Sequence, residues 1–226
     1  MMKMMKMFQK NLVAVFFLAI CSNVVAQSKV DPEYVKVTNE RAQKIVNDLK
    51  LNSAADQLAV RDIIAGQYRS LNTIHENRDA KIDAIKKSVT DKEKQQKSIE
   101  KIKTSADKEI LSLHKSYLKK LSKKLTNSQI VQVKDGMTYG VLPITVLGYN
   151  DMLPNLTEAQ KKYIYDALVE AREHAMDGGS SKEKHAWFGK YKGRINNYLS
   201  KQGYDLNKES ADWHKRLEER EKNKKK

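Results

Sequence analysis

Two long amphipathic runs in the first half of the chain constrain its fold more than any other feature. In each run, residues that fit a buried seam recur at alternating spacings of four and three, as in coiled coils. The first seam consists of Ile64, Tyr68, Leu71, His75, Arg78, Ile82 and Ile85, and the second extends from Ile99 to Leu125. A break near residues 89–91 joins the two runs. Helices with so short a link fold back on each other, which predicts an antiparallel helical hairpin over residues 53–125.

The two polar members of the first seam, His75 and Arg78, allow two interpretations. They could belong to a functional site, or they could form a polar layer in which a neighbouring helix satisfies the histidine. The polar layer is the interpretation that we favour.

Helix-start signals continue through the second half of the chain. Thr126 and Thr157 each lie three residues before a glutamine, which is the spacing of a capping box. Ser180 lies three residues before Glu183 in the same way, and Gly203 follows in a C-cap position. The predicted helices outside the hairpin are 33–50, 158–177, 181–202 and 207–222.

The segment 136–149 differs from the rest of the chain. Its apolar residues are mostly β-branched and are interrupted by Gly140, Pro143 and Gly148, which disfavours a helix. We expect a buried loop here, with or without one short strand. The predicted fold class is therefore all-α: a helical bundle with a long antiparallel helical hairpin and one irregular segment broken by glycine and proline.

The start of the chain has the features of a signal peptide. Three lysines precede an apolar stretch at 12–20, and small residues at 24–26 form a cleavage site. The predicted organisation is a signal peptide at 1–26, a single helical domain at 27–213 and a basic C-terminal tail at 214–226. Within the helical domain, residues 53–125 form the hairpin arm and residues 126–213 form a bundle rich in motifs.

An export signal predicts a periplasmic or extracellular mature chain. The only cysteine, Cys21, lies within the signal peptide, so the mature chain has no disulfide, cysteine metal site or thiol nucleophile. Residues 18–21 resemble the lipobox of a lipoprotein, but Ile20 stands where such boxes have a small residue. Lipidation is therefore the less favoured interpretation.

Basic charge is concentrated in two places. The formal net charge is +15, and residues 81–124 contain 14 basic and 6 acidic residues, while 214–226 contain 7 and 3. Because export is predicted and the basic arm lacks interleaved aromatic residues, no nucleic-acid partner is expected. The favoured partner is an oligo- or polysaccharide, acidic glycans included. An anionic surface or a protein client could also bind the basic arm.

One pair of side chains has the spacing of catalytic residues. Glu170 and His174 lie one helical turn apart, where they could form an acid–base pair or two metal ligands, with His185 as the natural third ligand. Such pairs are more often solvated neighbours, so no metal is expected, and catalysis by this pair is an alternative. No cofactor is expected either, because the sequence has no cofactor-binding fingerprint.

The stretch 174–205 is the candidate binding site. Aromatic rings on one face of its helix could stack on sugars while amides and cations hydrogen-bond the hydroxyl groups. The candidate binding residues are Asp177, Lys184, His185, Trp187, Lys190, Tyr191, Arg194 and Asn197. Gly189 and Gly193 on the opposite face indicate close approach of another backbone or of a ligand, so we expect both faces to be engaged. The alternative is that Trp187 and Tyr191 only fill the core.

Three segments resemble a known family: YVKVTNERAQKIVNDL at 34–49, VKDGMTYGVLP at 133–143, and 156–205 with the string HAWFGKYKGRINNYL. They are similar to the domain-of-unknown-function family numbered three-eight-two-six. The resemblance implies a sugar-binding protein exported by polysaccharide-degrading Gram-negative bacteria, and it implies no catalytic residue. Separately, residues 125–129 and 156–160 resemble the LTxxQ motif of the Spy and CpxP periplasmic chaperones.

These features together predict an exported glycan-binding or glycan-processing accessory protein with its site in 174–205. One alternative is a Spy-like holdase that uses the basic hairpin. The other is a glycan-active enzyme that uses Glu170 and His174, so the question of enzymatic activity stays open.

Overall fold

A computed structural model describes residues 31–224, and within that range it consists of eight α-helices without strands. The helices are α1 Pro32–Asp48, α2 Ala54–Ser88, α3 Lys92–Leu121, α4 Asn127–Met137, α5 Val141–Met152, α6 Glu158–Met176, α7 Ser181–Lys201 and α8 Leu206–Lys224. The all-α prediction is confirmed. The predicted signal peptide at 1–26 lies outside the described residues. None of the helices in 31–224 combines the length and the apolar character needed to cross a bilayer.

The predicted hairpin is formed by α2 and α3, which pack against each other in antiparallel directions. Ser53 caps α2 by accepting a hydrogen bond from the amide of Asp56, and Asp91 caps α3. Both caps satisfy main-chain donors that a helix start leaves free. The buried seam residues include Ile64, Leu71, His75, Ile82, Ile99, Ala106, Tyr117 and Leu121.

Two hydrophobic clusters form the core. The first joins α1, α2, α3 and α4 and includes the fully buried Ile64 and Leu121. The second joins α5, α6 and α7 and includes the fully buried Leu168 and Ile195. Most of α6 packs in the second cluster, but its last residue, Met176, is buried in the first. The end of α6 therefore lies where the two clusters meet.

The predicted helix starts are confirmed at α4, α6 and α7. Thr126 and the glutamine three residues later cap each other's amides, and Thr157 at α6 does the same. At α7, Ser180 accepts a hydrogen bond from the amide of Glu183. The Glu183 carboxylate, however, accepts a hydrogen bond from the amide of Gly179 (2.7 Å), which is the residue before the N-cap.

The prediction of a buried loop at 136–149 is wrong, because most of this segment is the helix α5. Gly140 adopts a left-handed conformation (φ 65°) at the N-cap, and the helix begins one residue later. Pro143 is then the third residue of the helix, where its missing N–H would have had no helical partner. The segment is buried on one side only: Leu142 and Tyr149 belong to the second cluster, whereas Ile144 is 65% and Leu147 68% exposed.

The last helix crosses the predicted boundary between the helical domain and the basic tail. Trp213 donates a hydrogen bond to the Asp151 carboxylate (2.7 Å). Further along α8, Arg220 donates to the same carboxylate (2.9 Å), and Arg216 donates to the main-chain oxygen of Met152 (3.0 Å). The first half of the predicted tail is therefore attached to the end of α5.

Candidate functional site

The turn between α6 and α7, residues 177–180, packs against the hairpin and has a cleft on each side. A Cβ atom at Gly179 would lie 2.7 Å from the ring of His75 on α2, so the close approach requires glycine here. The His75 Nε2 donates a hydrogen bond to the main-chain oxygen of Asp177 (2.8 Å). This seam histidine therefore has its partner outside the hairpin, in the turn.

We name the first cleft the hairpin groove. It has a volume of about 700 Å³ and lies between the hairpin, the end of α6 and the first turns of α7. Its lining residues are His75, Arg78, Asp107, Ile110, Leu111, His174, Asp177, Gly178, Glu183, Ala186, Trp187 and Lys190. Four of the ten predicted site residues are among them: His174, Asp177, Trp187 and Lys190.

The indole of Trp187 gives the α7 side of the groove its apolar surface. This partly exposed ring stacks on the ring of His174, with centroids 4.3 Å apart and planes 14° from parallel. The Lys190 ammonium lies 4.9 Å from the indole centroid, within the range of a cation–π contact. On the hairpin side, Leu111 is 54% exposed. Both sides of the groove therefore offer apolar surface.

Charged groups of both signs accompany this apolar surface. Arg78 of α2 pairs with Asp79 on its own helix (2.8 Å) and lies 3.6 Å from the Glu183 carboxylate of α7. The hydrogen bond to Asp79 is the main cause of the raised pKa of Arg78. Asp107 of α3 lines the groove as well. The groove can thus both donate hydrogen bonds to a ligand and accept them from it.

A half-buried charge network connects the turn to α3 and α4. The Nδ1 atom of His114 lies 2.8 Å from the Asp177 carboxylate, and its Nε2 lies 3.6 Å from the Glu173 carboxylate. Lys134 donates to the same Glu173 carboxylate (2.7 Å). The hydrogen bond with Asp177 raises the pKa of His114. The network therefore favours a protonated imidazole beside the turn.

Sequence reasoning missed this network. His114 lies beside the apolar seam of α3, and its partners Glu173 and Asp177 come from the end of α6, so no local spacing connects them. The sequence does contain one indication of this network: two pairs of adjacent, oppositely charged residues at 134–135 and 172–173. Both pairs lie within the segments that resemble the family. Arg172 is only 4% exposed and pairs with Asp135 (2.8 Å), which is unusual for charged residues unless they are partnered.

We name the second cleft the cationic pocket. It has a volume of about 380 Å³ and lies between α1, α2, the end of α4 and the start of α7. Its lining residues are Tyr34, Arg41, Lys44, Ile45, Tyr68, Leu71, Asn72, Gly136, Met137, Tyr139, Gly178, Gly179, Ser180, Ser181 and Lys184. Three of these are cations, and no carboxylate from residues 31–224 lines the pocket.

Lys184 lies in the wall of this pocket and is only 7% exposed. Its ammonium donates hydrogen bonds to the main-chain oxygens of Ala175 (3.1 Å) and Met176 (3.0 Å) at the end of α6. Burial lowers the pKa of Lys184 to about 8. The residue was predicted to bind a ligand together with Trp187, but the structure places it in the other cleft.

The other predicted binding residues lie outside the groove. Tyr191 is 2% exposed and belongs to the second hydrophobic cluster, so the core-filling alternative is correct for this ring. His185 is exposed and stacks on Tyr139, with centroids 5.8 Å apart. Arg194 and Asn197 are exposed further along α7. The single site predicted over 174–205 is thus divided.

Only one member of the candidate acid–base pair lines the groove. His174 lines the groove, whereas Glu170 is exposed and forms an ion pair with Arg194 (3.3 Å). Hydrogen bonds from Tyr191 and Arg194 lower the pKa of Glu170, which makes it a poorer proton donor. His185 does not join the pair as a third ligand. Within residues 31–224, no three His, Cys, Asp or Glu side chains are grouped so that they could hold a metal ion.

Within residues 31–224, no other part of the chain approaches Gly189 or Gly193 closely. Added Cβ atoms at Gly189 and Gly193 would meet nothing within 4 Å in the part of the chain that the structure describes. Both residues are exposed. The face with Phe188 and Ile195 packs in the second cluster, whereas the surface at the two glycines is open in the described part of the chain.

The fold and the site define this chain as an all-α bundle protein with a groove of mixed charge beside a cationic pocket. The model of a family described as a protein of unknown function (DUF3826) matches residues 35–218, and the chain belongs to that family. No curated protein matches the sequence. The segments 34–49, 133–143 and 156–205, on which the resemblance was based, all contribute residues to the cationic pocket.

Proposed function

We propose that the protein is an exported glycan-binding accessory protein, acting in the periplasm or outside the cell, and that the hairpin groove binds the glycan. The observation that carries the proposal is the partly exposed indole of Trp187, which faces a groove of about 700 Å³. Flat aromatic surfaces stack on the apolar faces of sugar rings. The exposed side chain of Leu111 extends this apolar surface on the hairpin side.

The polar groups of the groove suit a ligand rich in hydroxyl groups. Arg78 and Lys190 are hydrogen-bond donors, while Asp107 and Glu183 are acceptors. A sugar hydroxyl both donates and accepts, so a groove with both kinds of group can hold several hydroxyls. The volume lies in the range of small-molecule sites, which supports a short oligosaccharide segment as the ligand.

The partners of two groove carboxylates favour binding over cleavage. Glycoside hydrolysis commonly needs a carboxylic acid that protonates the leaving group and a second carboxylate on the other side of the bond. The Asp177 carboxylate is held by His114 (2.8 Å), and the Glu183 carboxylate accepts a hydrogen bond from the amide of Gly179 (2.7 Å). Both acidic groups therefore already stabilise the turn.

Isothermal titration against pectin- and hemicellulose-derived oligosaccharides tests the proposal. We expect binding by the wild type and a loss of about tenfold or more in affinity for Trp187→Ala, the range for loss of a stacked aromatic contact. Tyr165→Ala is the matched control, because this ring is 47% exposed on α6 and does not line the groove. Absence of binding with every glycan, or an equal loss in both variants, would contradict the proposal.

The enzyme alternative is distinguished by product analysis. New reducing ends or unsaturated uronates on incubation with the same oligosaccharides would favour catalysis, provided that His174→Ala abolishes them. His174 is the variant of choice because it lines the groove, whereas Glu170 does not. Binding without any product supports the accessory role.

The charge of the hairpin arm favours a second candidate function, a Spy-like holdase that binds protein clients. Residues 81–124 carry a net charge of +8, and the helices at the end of the hairpin bury few apolar residues, such as Ile82 and Ile99. This hypothesis predicts suppression of client aggregation that weakens with salt, because screening is strong beyond about 8 Å at physiological ionic strength. Suppression that is insensitive to salt would argue against the arm as the client site.

A further inference from the structure

We propose that the cationic pocket is a second ligand site, which binds the anionic group of a small acidic sugar through Arg41, Lys44 and Lys184. The anionic group is an oxyanion, either the carboxylate of a uronate or an ester sulfate. This site lies on the opposite side of the 177–180 turn from the hairpin groove and shares only Gly178 with it. The proposal does not depend on glycan binding in the groove.

The lining of the cationic pocket has an excess of positive charge. Arg41 and Lys44 lie one turn apart on α1, and neither forms an ion pair with a residue of the described chain. The carboxylates of Asp177 and Glu183 act on Lys184 from outside the lining. Both are already engaged, by His114 and by the amide of Gly179. An oxyanion would therefore supply the charge that the pocket lacks.

Lys184, in the wall of the pocket, is a buried cation. Its side chain is 93% removed from solvent, a position in which an ammonium group is costly unless its donors are satisfied. Two of its three N–H groups donate to the carbonyls of Ala175 and Met176. No carboxylate of residues 31–224 lies within ion-pair distance of Lys184, so its charge has no counterion in this range. An anion in the adjoining pocket provides one.

The pocket also has an aromatic lining, which favours a sugar acid over a free inorganic anion. Tyr34, Tyr68 and Tyr139 line the pocket together with Asn72. Burial raises the pKa of Tyr68 to about 12, so its hydroxyl stays protonated and can act as a donor. Tyrosine rings and an amide beside an anion site are suited to the ring and hydroxyl groups of a monosaccharide. A volume of about 380 Å³ limits the ligand to one or two sugar units.

The main-chain conformation of Tyr139 also supports a ligand site in the cationic pocket. This residue has a positive φ of 60°, which is uncommon for a bulky side chain, and it is 53% exposed. Non-glycine residues in such conformations cluster at ligand sites, where the strain is retained for the position of the side chain. Here the conformation places the phenol ring in the wall of the pocket.

Isothermal titration of the full mature chain at pH 7.5 tests the site with galacturonate, glucuronate and galactose 6-sulfate. Galactose serves as the neutral control, and inorganic sulfate as the free oxyanion. We expect binding of the acidic sugars, with sulfate weaker and galactose undetected. The double variant Arg41→Gln/Lys44→Gln should weaken acidic-sugar binding by about tenfold or more, since charge-assisted hydrogen bonds are lost. Lys36→Gln, an exposed cation on the same helix outside the pocket, should leave it unchanged.

The outcomes separate this site from the groove. Trp187→Ala should leave galacturonate binding intact, whereas the α1 double variant should retain binding of neutral oligosaccharides. Absence of acidic-sugar binding in a folded wild type, or equal binding by the double variant, overturns the proposal. Sulfate that binds as tightly as galacturonate overturns the sugar part of it. Both α1 residues are exposed, so the double variant is expected to fold, as its circular dichroism and thermal unfolding would show.

Discussion

The hairpin groove and the cationic pocket lie on the two sides of one turn, but they stabilise charge in opposite ways. On the groove side, the imidazole of His114 has a carboxylate partner, Asp177, at 2.8 Å, and its pKa is raised. On the pocket side, the ammonium of Lys184 has only main-chain carbonyl partners, and burial lowers its pKa to about 8. The groove thus contains charges of both signs, whereas the pocket is left with unbalanced positive charge.

This difference shows why the two clefts suit different ligands. A groove that contains carboxylates as well as cations gains less from an anion, because its carboxylates repel the ligand. A pocket with unpaired cations gains from an anion twice, through attraction and through relief of the buried charge. Substitutions on either side of the turn therefore test whether this contrast persists.

The largest expected effect is a rise in the unfolding free energy of the protein at alkaline pH. Between pH 8 and 10.5 the unfolded chain keeps the proton on Lys184 while the folded chain loses it, so stability increases with pH. The full increase is about 3 kcal/mol, and roughly two thirds of it falls below pH 9.5. Urea unfolding from pH 7.5 to 9.5 measures it.

The Lys184 effect has a simple control. Lys184→Met should remove the alkaline increase, whereas Lys161→Met, an exposed lysine on α6, should keep it. If both variants keep the increase, the buried ammonium is not its source, and the contrast between the two sides of the turn loses its main support. Saturating galacturonate should also reduce the increase, since a bound anion favours the charged amine.

The next effect concerns the contact that separates the clefts. Gly179→Ala should lower stability by about 2 kcal/mol, as expected for overpacking, because its Cβ would lie 2.7 Å from the ring of His75. Displacement of this ring would change both clefts, so oligosaccharide and acidic-sugar binding should weaken together. Thermal unfolding and titration with both ligands measure these changes. An unchanged melting temperature would show that the turn does not pack tightly on α2.

The sequence predicted this architecture wherever the signal was local. Thr126, Thr157 and Ser180 were found as helix caps because a cap and its partner are three residues apart. The helix α5 was missed because Pro143 breaks a helix in its interior but not in its first turn, and the start at Val141 could not be read from composition.

The candidate site was predicted only in part, for a related reason. Trp187 and Lys190 share the groove because they lie three residues apart on α7. The opposite wall comes from Arg78 and Asp107, about 80 to 110 residues earlier in the chain, and no pattern in the sequence relates them to Trp187. Whether the tyrosine at 191 faces core or groove depends on the packing of α6, which periodicity alone does not define.

A smaller effect is expected on the groove side at acidic and neutral pH. The raised pKa of His114 means that the folded chain holds this proton more tightly than the unfolded chain. The resulting stabilisation is complete below the pKa of this histidine in the unfolded chain, about 6.5. It is lost as the pH rises through the higher pKa of His114 in the folded chain. Asp177→Asn should cost about 1 kcal/mol at pH 6, since the hydrogen-bonded pair is only partly exposed.

The histidine effect can be read directly by NMR. The imidazole resonances of His114 should titrate at lower pH in Asp177→Asn than in the wild type. His214 is the internal control, because it is exposed on α8 and bonds only a main-chain oxygen on that helix. An unchanged His114 titration would mean that Asp177 does not stabilise the imidazolium. The groove side of the turn would then lack the paired charge that distinguishes it from the pocket side.

The smallest expected effect concerns the open face of α7, and its sign differs from that of Gly179→Ala. Gly193→Ala should raise stability by about 0.5 to 1 kcal/mol, because alanine restricts the unfolded chain and its Cβ meets open space. Binding in both clefts should be unchanged. Thermal unfolding measures the gain, and Gly189→Ala should reproduce it. A loss of stability instead would mean that another surface covers this face in solution, since no described residue lies close enough to produce a clash.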